Sequence, residues 1–164
     1  GNLVIGRVTD ITFNGWLIDI GGPYSSFMMV NEYPRYIESD DLESYIAIGD
    51  LVLCKVFRVK RKGVDLTMKS HGLGKIEDGM IMYVNSNKVP RVIGKEGSMI
   101  NLIKDATGCD ITVGQNGFIW IRGNSVDEEL RAKKAILFVV ERSYIHGLTE
   151  AVKKFFDENK KERE

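Results

Sequence analysis

Two glycines three residues apart constrain this chain more than any other feature. Gly94 and Gly97 bracket Lys95-Glu96, with Val92-Ile93 before them and Ile100 three places after. A Gly-x-x-Gly turn strips side chains from two points of a tight loop, so another backbone can come close. Beyond it, Met99, Ile100, Leu102, Ile103 and Ala106 recur at helical spacing, so the turn opens a helix over Ser98 to Thr107. The first amides of that helix point at whatever lies against the loop. A helix N-terminus favours anions, and phosphate is the natural candidate. The glycine pair alone would also fit an ordinary tight turn, and the apolar flanks are what single it out.

The neighbouring elements follow a definite order. Met80–Val84 reads as a strand, then come a short helix, the loop and its helix. Thr107-Gly108 stops the helix, and Cys109 to Val113 reads as a strand. Gly114 to Gly117 turns the chain into the strand Phe118-Ile119-Trp120-Ile121, and Ser125 leads a helix to about Ser143. Strand, helix, loop, helix, strand, strand, helix resembles a type I KH domain, whose Gly-x-x-Gly loop clamps about four nucleotides of single-stranded nucleic acid. The resemblance implies RNA contact by Arg91, Ile93, Gly94, Lys95, Glu96, Gly97, Ser98 and Ile100, with Lys88 and Arg122 as further phosphate contacts. Glu96 works against them by its charge. Ile93, Ile100 and Ile111 suit either the groove where bases lie or the core.

The first half of the chain has the other periodicity. Residues 2–11 alternate as a strand, Asn14-Gly15 signals a hairpin, and Trp16–Ile20 and Phe27–Val30 follow as strands. Residues 31–49 form a long connection with Pro34 and the acidic run Glu38, Asp40, Asp41, Glu43. Leu51–Lys60 and Val64–Lys69 are the fourth and fifth strands, joined by Arg61-Lys62-Gly63. Five short strands with one long link suggest a small Greek-key barrel, an OB-fold. The fold class expected is therefore α+β: a barrel over 1–73, a KH domain over 74–147, and a final helix over 148–164. On that helix Leu148, Val152, Phe155 and Phe156 share one face that would dock on the KH domain. Lys160 to Glu164 reads as a frayed, solvated end.

Gly6-Arg7-Val8-Thr9-Asp10-Ile11, Gly15-Trp16-Leu17-Ile18-Asp19-Ile20, Gly49-Asp50-Leu51-Val52 and Leu66-Thr67-Met68-Lys69 resemble an S1-type RNA-binding barrel over residues 2–71. Such domains place an aromatic where this chain has Leu17 and commonly a His where it has Met29. Stacking on aromatics contributes about 1–3 kcal/mol per base, so this barrel lacks two expected platforms. Trp16 alternates with Ile18 and Ile20, which fits a core or partner-facing residue, with an RNA contact as the other reading. Lys55, Arg58, Lys60, Arg61 and Lys62 form the densest basic cluster. They suit phosphate contact along one barrel edge, or a solvated turn.

Charge excludes one class outright. With 23 basic and 23 acidic residues, the chain is no general polyanion binder, though a local basic groove remains open. Cys54 and Cys109 lack a Cys or His at ligand spacing, so they read as buried thiols of a reducing compartment, without zinc or another metal. No apolar run approaches a membrane span and no signal peptide is visible, so a cytoplasmic protein is expected. Gly1 leads almost directly into a strand, as in a fragment of something longer. His71 and His146 are isolated, and the carboxylates of the acidic run sit on one loop.

A barrel of this type followed by a single KH domain, with Lys88 to Ile100 and Asn116-Gly117-Phe118-Ile119-Trp120-Ile121, closely resembles the RNA-binding cap subunits of the archaeal exosome. That family implies single-stranded RNA and RNase-PH-like ring subunits as partners, three copies per complex, and no cofactor or catalysis of its own. It also carries an N-terminal domain that is truncated or absent here. Two other classes share these modules. Free transcription elongation or antitermination factors carry the barrel before two KH modules, where this chain has room for one. Polynucleotide phosphorylase carries them in reverse order. No nucleophile is paired with a base and no carboxylates converge from several elements, so no acid–base constellation is present. The purified chain is therefore expected to release no nucleoside diphosphates from RNA with phosphate and magnesium or manganese present. Phosphate-dependent release would refute that.

Overall fold

The computed structural model describes residues 1–38, 40–142 and 147–163, the side chains of 160–163 excepted. The chain divides into two compact units, Gly1–Glu77 with Gly114–Asn116, and Asp78–Val113 with Gly117–Glu164.

In the first unit the alternating segments form β1 (Leu3–Thr12), β2 (Gly15–Asp19), β3 (Ser25–Met29), β4 (Leu51–Lys60) and β5 (Gly63–Thr67). β1 pairs with β2 and β2 with β3, both antiparallel; β3 runs parallel to β5. β5 pairs with β4, and β4 returns to β1. The expected five-stranded barrel is thus closed, each of the five strands pairing with two others. Its interior holds Val4, Val8, Trp16, Ile18, Met28, Val52, Cys54, Leu66 and Met68.

The long connection is not irregular throughout. It contains a short helix, α1 (Leu42–Tyr45), and it buries Ile37, Leu42 and Ile46. Trp16 is what it packs on. The indole has 0% exposure, its Nε1 donates to the Ile46 carbonyl at 3.0 Å, and its ring lies 6.0 Å from that of Tyr33. Trp16 therefore cannot be the RNA contact offered above, because no face of its ring reaches solvent.

The boundary expected at residue 73 is also corrected. A sixth strand, β6 (Gly74–Ile76), pairs with Leu51–Leu53 of β4, and Lys75 Nζ lies 3.4 Å from Asp50. Residues read as a glycine-punctuated linker thus belong to the first sheet. Gly114–Asn116 also belong to this unit. The Asn116 amide donates to the carbonyls of Ile5 and Ile20, each at 2.8 Å.

In the second unit β7 (Met80–Tyr83), α2 (Val89–Ile93), α3 (Ser98–Thr107), β8 (Asp110–Val113), β9 (Phe118–Arg122) and α4 (Val126–Glu141) follow in the expected order. The sheet order is β7-β9-β8, antiparallel throughout. One sheet face, with Met82, Ile111, Ile119 and Ile121, meets Val92, Met99 and Ile103 of α2 and α3 and Ala132, Ala135 and Ile136 of α4. The last helix, α5 (Leu148–Arg163), adds Leu148, Val152 and Phe156 to that core. Helix ends follow their sequence signals. Gly108 closes α3 with its N–H on the Lys104 carbonyl, and Ser125 Oγ accepts the Glu128 N–H at 3.2 Å. Ser143 and His146 lie outside the described residues, as do the side chains of Lys160 to Glu164. Among the described residues, no helix is long and apolar enough to cross a membrane.

Both thiols are free and buried. Burial pushes Cys54 from its ordinary value of 9.0 to about 12, and raises Cys109 as well. The unfolded Cys54 thiol ionises first, so folding stability is lost as pH climbs from about 9 toward about 12, by roughly 1.4 kcal/mol per pH unit. Alkaline denaturation of wild type against Cys54→Val should show this slope difference. Native Cys54 should also resist a thiol reagent at pH about 8 until denaturant is added.

Candidate nucleic-acid interface

The glycine loop is built by a sharp reversal between two helices. α2 stops where the Gly94 N–H bonds the Pro90 carbonyl at 2.9 Å. Gly94 then takes φ 77°, and a Cβ there would lie 2.6 Å from the Met99 amide nitrogen. A side chain at this point would separate the loop from the start of α3. Lys95–Gly97 make one tight helical turn, closed by the Gly97 N–H on the Gly94 carbonyl at 3.2 Å. Inside it Glu96 is held at φ 55°, the one non-glycine residue with positive φ among those described. Gly97 stands at the N-cap of α3 at φ 78° and caps it with no side-chain hydrogen bond, while the Ser98 N–H is held by the Lys95 carbonyl. The dipole of α3 gives the loop a positive end.

Around this end lies a hollow of about 380 Å³. Arg91, Lys95 and Ser98 line one side, and Gly147, Leu148 and Thr149, at the start of α5, line the other. Arg91, Lys95, Glu96 and Ser98 are exposed, and Lys88 is half-buried. The α5 wall was not foreseen. Gly147-Leu148-Thr149 reads in sequence only as a helix start, and nothing local ties it to a loop some fifty residues earlier.

Two predicted contacts fall elsewhere. Ile100 is 7% exposed, and with Ile111 it belongs to the core, so neither lines a groove for bases. Ile93 packs half-buried against the same core. Arg122 is not beside the loop. In the strand register it shares the sheet face of Trp120 and Asp110, opposite the face that the helices cover. Its guanidinium sits 4.9 Å over the Trp120 ring, 3.5 Å from Asp110 and 3.9 Å from Asp78.

On the barrel, a bulge between Val56 and Arg58 shifts the register of β4 against β5. Lys55 and Arg58 would otherwise face opposite ways; the extra residue brings Lys55, Arg58 and Lys60 to one outer face. Arg61 and Lys62 stand exposed at the β4–β5 turn. Lys60 is engaged by Asp65 at 3.1 Å, which removes part of the cluster's positive charge. Leu17 pairs with Phe27, and Phe27 with Asp65, so Phe27 lies on that outer face beside the place where an aromatic was missing. Met29 is 40% exposed. Phe27 was overlooked because its register with Leu17 is set by the hairpin.

A barrel joined to a unit with this loop defines a class of single-stranded RNA-binding modules, and the KH domain family matches residues 79–138. Across the whole chain the likeness is more particular. Exosome complex component Rrp4 of Methanothermobacter thermautotrophicus is 43% identical, over 96% of this chain and 50% of that protein. The Picrophilus torridus component of the same name is 43% identical over 96% of this chain and 68% of that protein. A crystal structure of a protein assigned as an exosome complex RNA-binding protein superposes with TM-score 0.89 at 34% identity, covering 100% of this chain and 96% of that one. The chain belongs to the Rrp4 family of exosome complex components. It spans half the length of the first of these relatives and about two thirds of the second.

Glu96 combines an unfavourable backbone with an unfavourable charge. Replacing it with Asn, which tolerates the left-handed region, should raise stability by about 0.5–1 kcal/mol. If the loop contacts RNA as its sequence resemblance implies, the same change should tighten binding, because it removes an anion next to the phosphates. Chemical denaturation and fluorescence anisotropy on one oligonucleotide measure the two effects. Weaker RNA binding by Glu96→Asn would show that this side chain does not face the phosphates.

Proposed function

We propose that the chain is the non-catalytic RNA-binding part of an exosome cap. In this reading three copies sit on an RNase-PH-like ring and lead single-stranded RNA 3′ ends into it for 3′-to-5′ degradation or tailing. The observation that carries the reading is the uncapped, glycine-built start of α3, facing a hollow with Arg91 and Lys95 on its rim. That arrangement suits a phosphodiester backbone. The helix dipole acts on any phosphate, and Ile100 and Ile111 lie in the core, away from any base edge.

Binding by one copy should be weak and salt-sensitive. With about three phosphates neutralised, affinity falls with a log–log slope of about −2, or about twentyfold between roughly 50 and 200 mM salt. Copies grouped around a pore make each later contact intramolecular, at an effective concentration in the millimolar range, so weak sites suffice.

The Lys95→Asp/Glu96→Asp variant should lose about fivefold or more in RNA affinity while remaining as cooperatively folded as the wild type. Reconstituting the ring with full-length protein, then degrading a long unstructured RNA, tests the assembly. Co-elution with raised processivity is expected. Absence of both would move the reading to a free regulator with the same modules.

A further inference from the structure

A second hollow of this unit lies away from the glycine loop. It lies between α4 and α5, with a volume of about 450 Å³. Its lining includes Arg131, Lys134, Leu137, Phe138, Arg142 and Phe155. It shares no lining residue with the hollow beside Gly94.

Its chemistry is mixed in a specific way. Phe138 and Phe155 form the apolar part, with ring centroids 4.8 Å apart, and Leu137 is 38% exposed beside them. Three cations stand around this patch. The one carboxylate in the lining, Glu141, is already held by Arg142 at 3.5 Å. Arg131 gives Nη2 to the Ala106 carbonyl at 3.4 Å, but its Nε is shut off from solvent and has no acceptor among the described residues.

We propose that this groove docks a short acidic segment of a partner protein, anchored by leucine or phenylalanine side chains. The cations match carboxylates, and the Phe138–Phe155–Leu137 patch matches an apolar anchor. RNA is the weaker match, because neighbouring groups already take up part of the ring surface that a base would stack on. The Arg142 guanidinium lies 4.1 Å over Phe138, and Phe155 is flanked by Phe138 and by Phe156, whose ring is 5.6 Å away. An aliphatic or aromatic side chain can fill the remaining space edge-on, whereas stacking needs an uncovered face.

The experiment uses the full chain and a fluorescein-labelled peptide of about twelve residues, rich in Asp and Glu, with Leu and Phe on one helical face. The comparison probes are the same peptide with its acids changed to Gln, a scramble of the acidic sequence, and an oligouridylate of similar charge. Saturable binding of the acidic peptide is expected. Lys134→Glu/Arg142→Glu should weaken it by about tenfold or more, and Leu137→Gln by about threefold, with melting temperatures unchanged. Lys95→Asp/Glu96→Asp should leave it intact. The proposal is overturned if the acidic peptide does not saturate, or if the Gln or scrambled peptide binds as well. It is equally overturned if the charge reversal weakens oligouridylate while sparing the peptide, which would assign the groove to RNA.

Discussion

The second unit depends on a reversal of backbone direction that only a residue without a Cβ permits. At Gly94 the chain leaves α2 and passes so close to the Met99 amide that a single methyl would collide with it. That approach lets Val92, Met99 and Ile103 enter one core from two helices joined by a three-residue turn. Glu96 sits in the left-handed region at a cost of about 1 kcal/mol. Burial of the flanking apolar side chains, at roughly 1.5–3 kcal/mol each, outweighs it. The turn that buries Met99 also sets the N-terminus of α3 beside the hollow lined by Arg91, Lys95 and Ser98.

The barrel has a comparable anchor in Trp16. Its indole fills the interior and hydrogen-bonds the Ile46 carbonyl, and the long connection adds Ile37, Leu42 and Ile46 to the same core. The same burial removes the barrel's nearest candidate for stacking on bases. What remains on the outer face is Phe27, Met29 and a row of cations set in phase by a bulge, with Lys60 partly neutralised by Asp65. Both units therefore suit contact with a backbone better than readout of a sequence.

Much of this was legible in the residues. The period of two in the first half gave the barrel, and the glycine pair with helical spacing after it gave the loop and α3. Strict alternation set Trp16 in phase with Ile18 and left core, partner and RNA readings open, and burial decides for the core. Applied to β9, the same alternation would have set Arg122 in phase with Trp120 and out of phase with the buried Ile119 and Ile121. Proximity in sequence to the loop was the misleading cue there. Three features could not be read locally: the bulge that regroups Lys55 with Arg58, the pairing of β6 with β4, and the α5 wall beside the loop. Each is fixed by contacts between segments far apart in the chain, and period and propensity carry no information about such contacts.

The central claim is that RNA phosphates lie at the start of α3. Photo-crosslinking of the full chain to a 4-thiouridine oligonucleotide, with the sites mapped by peptide mass, tests it directly. Crosslinks should fall within residues 91–99 and on Gly147 to Thr149, and should fade with rising salt. Crosslinks confined to the sheet face of Trp120 and Arg122, or to the barrel alone, would contradict it.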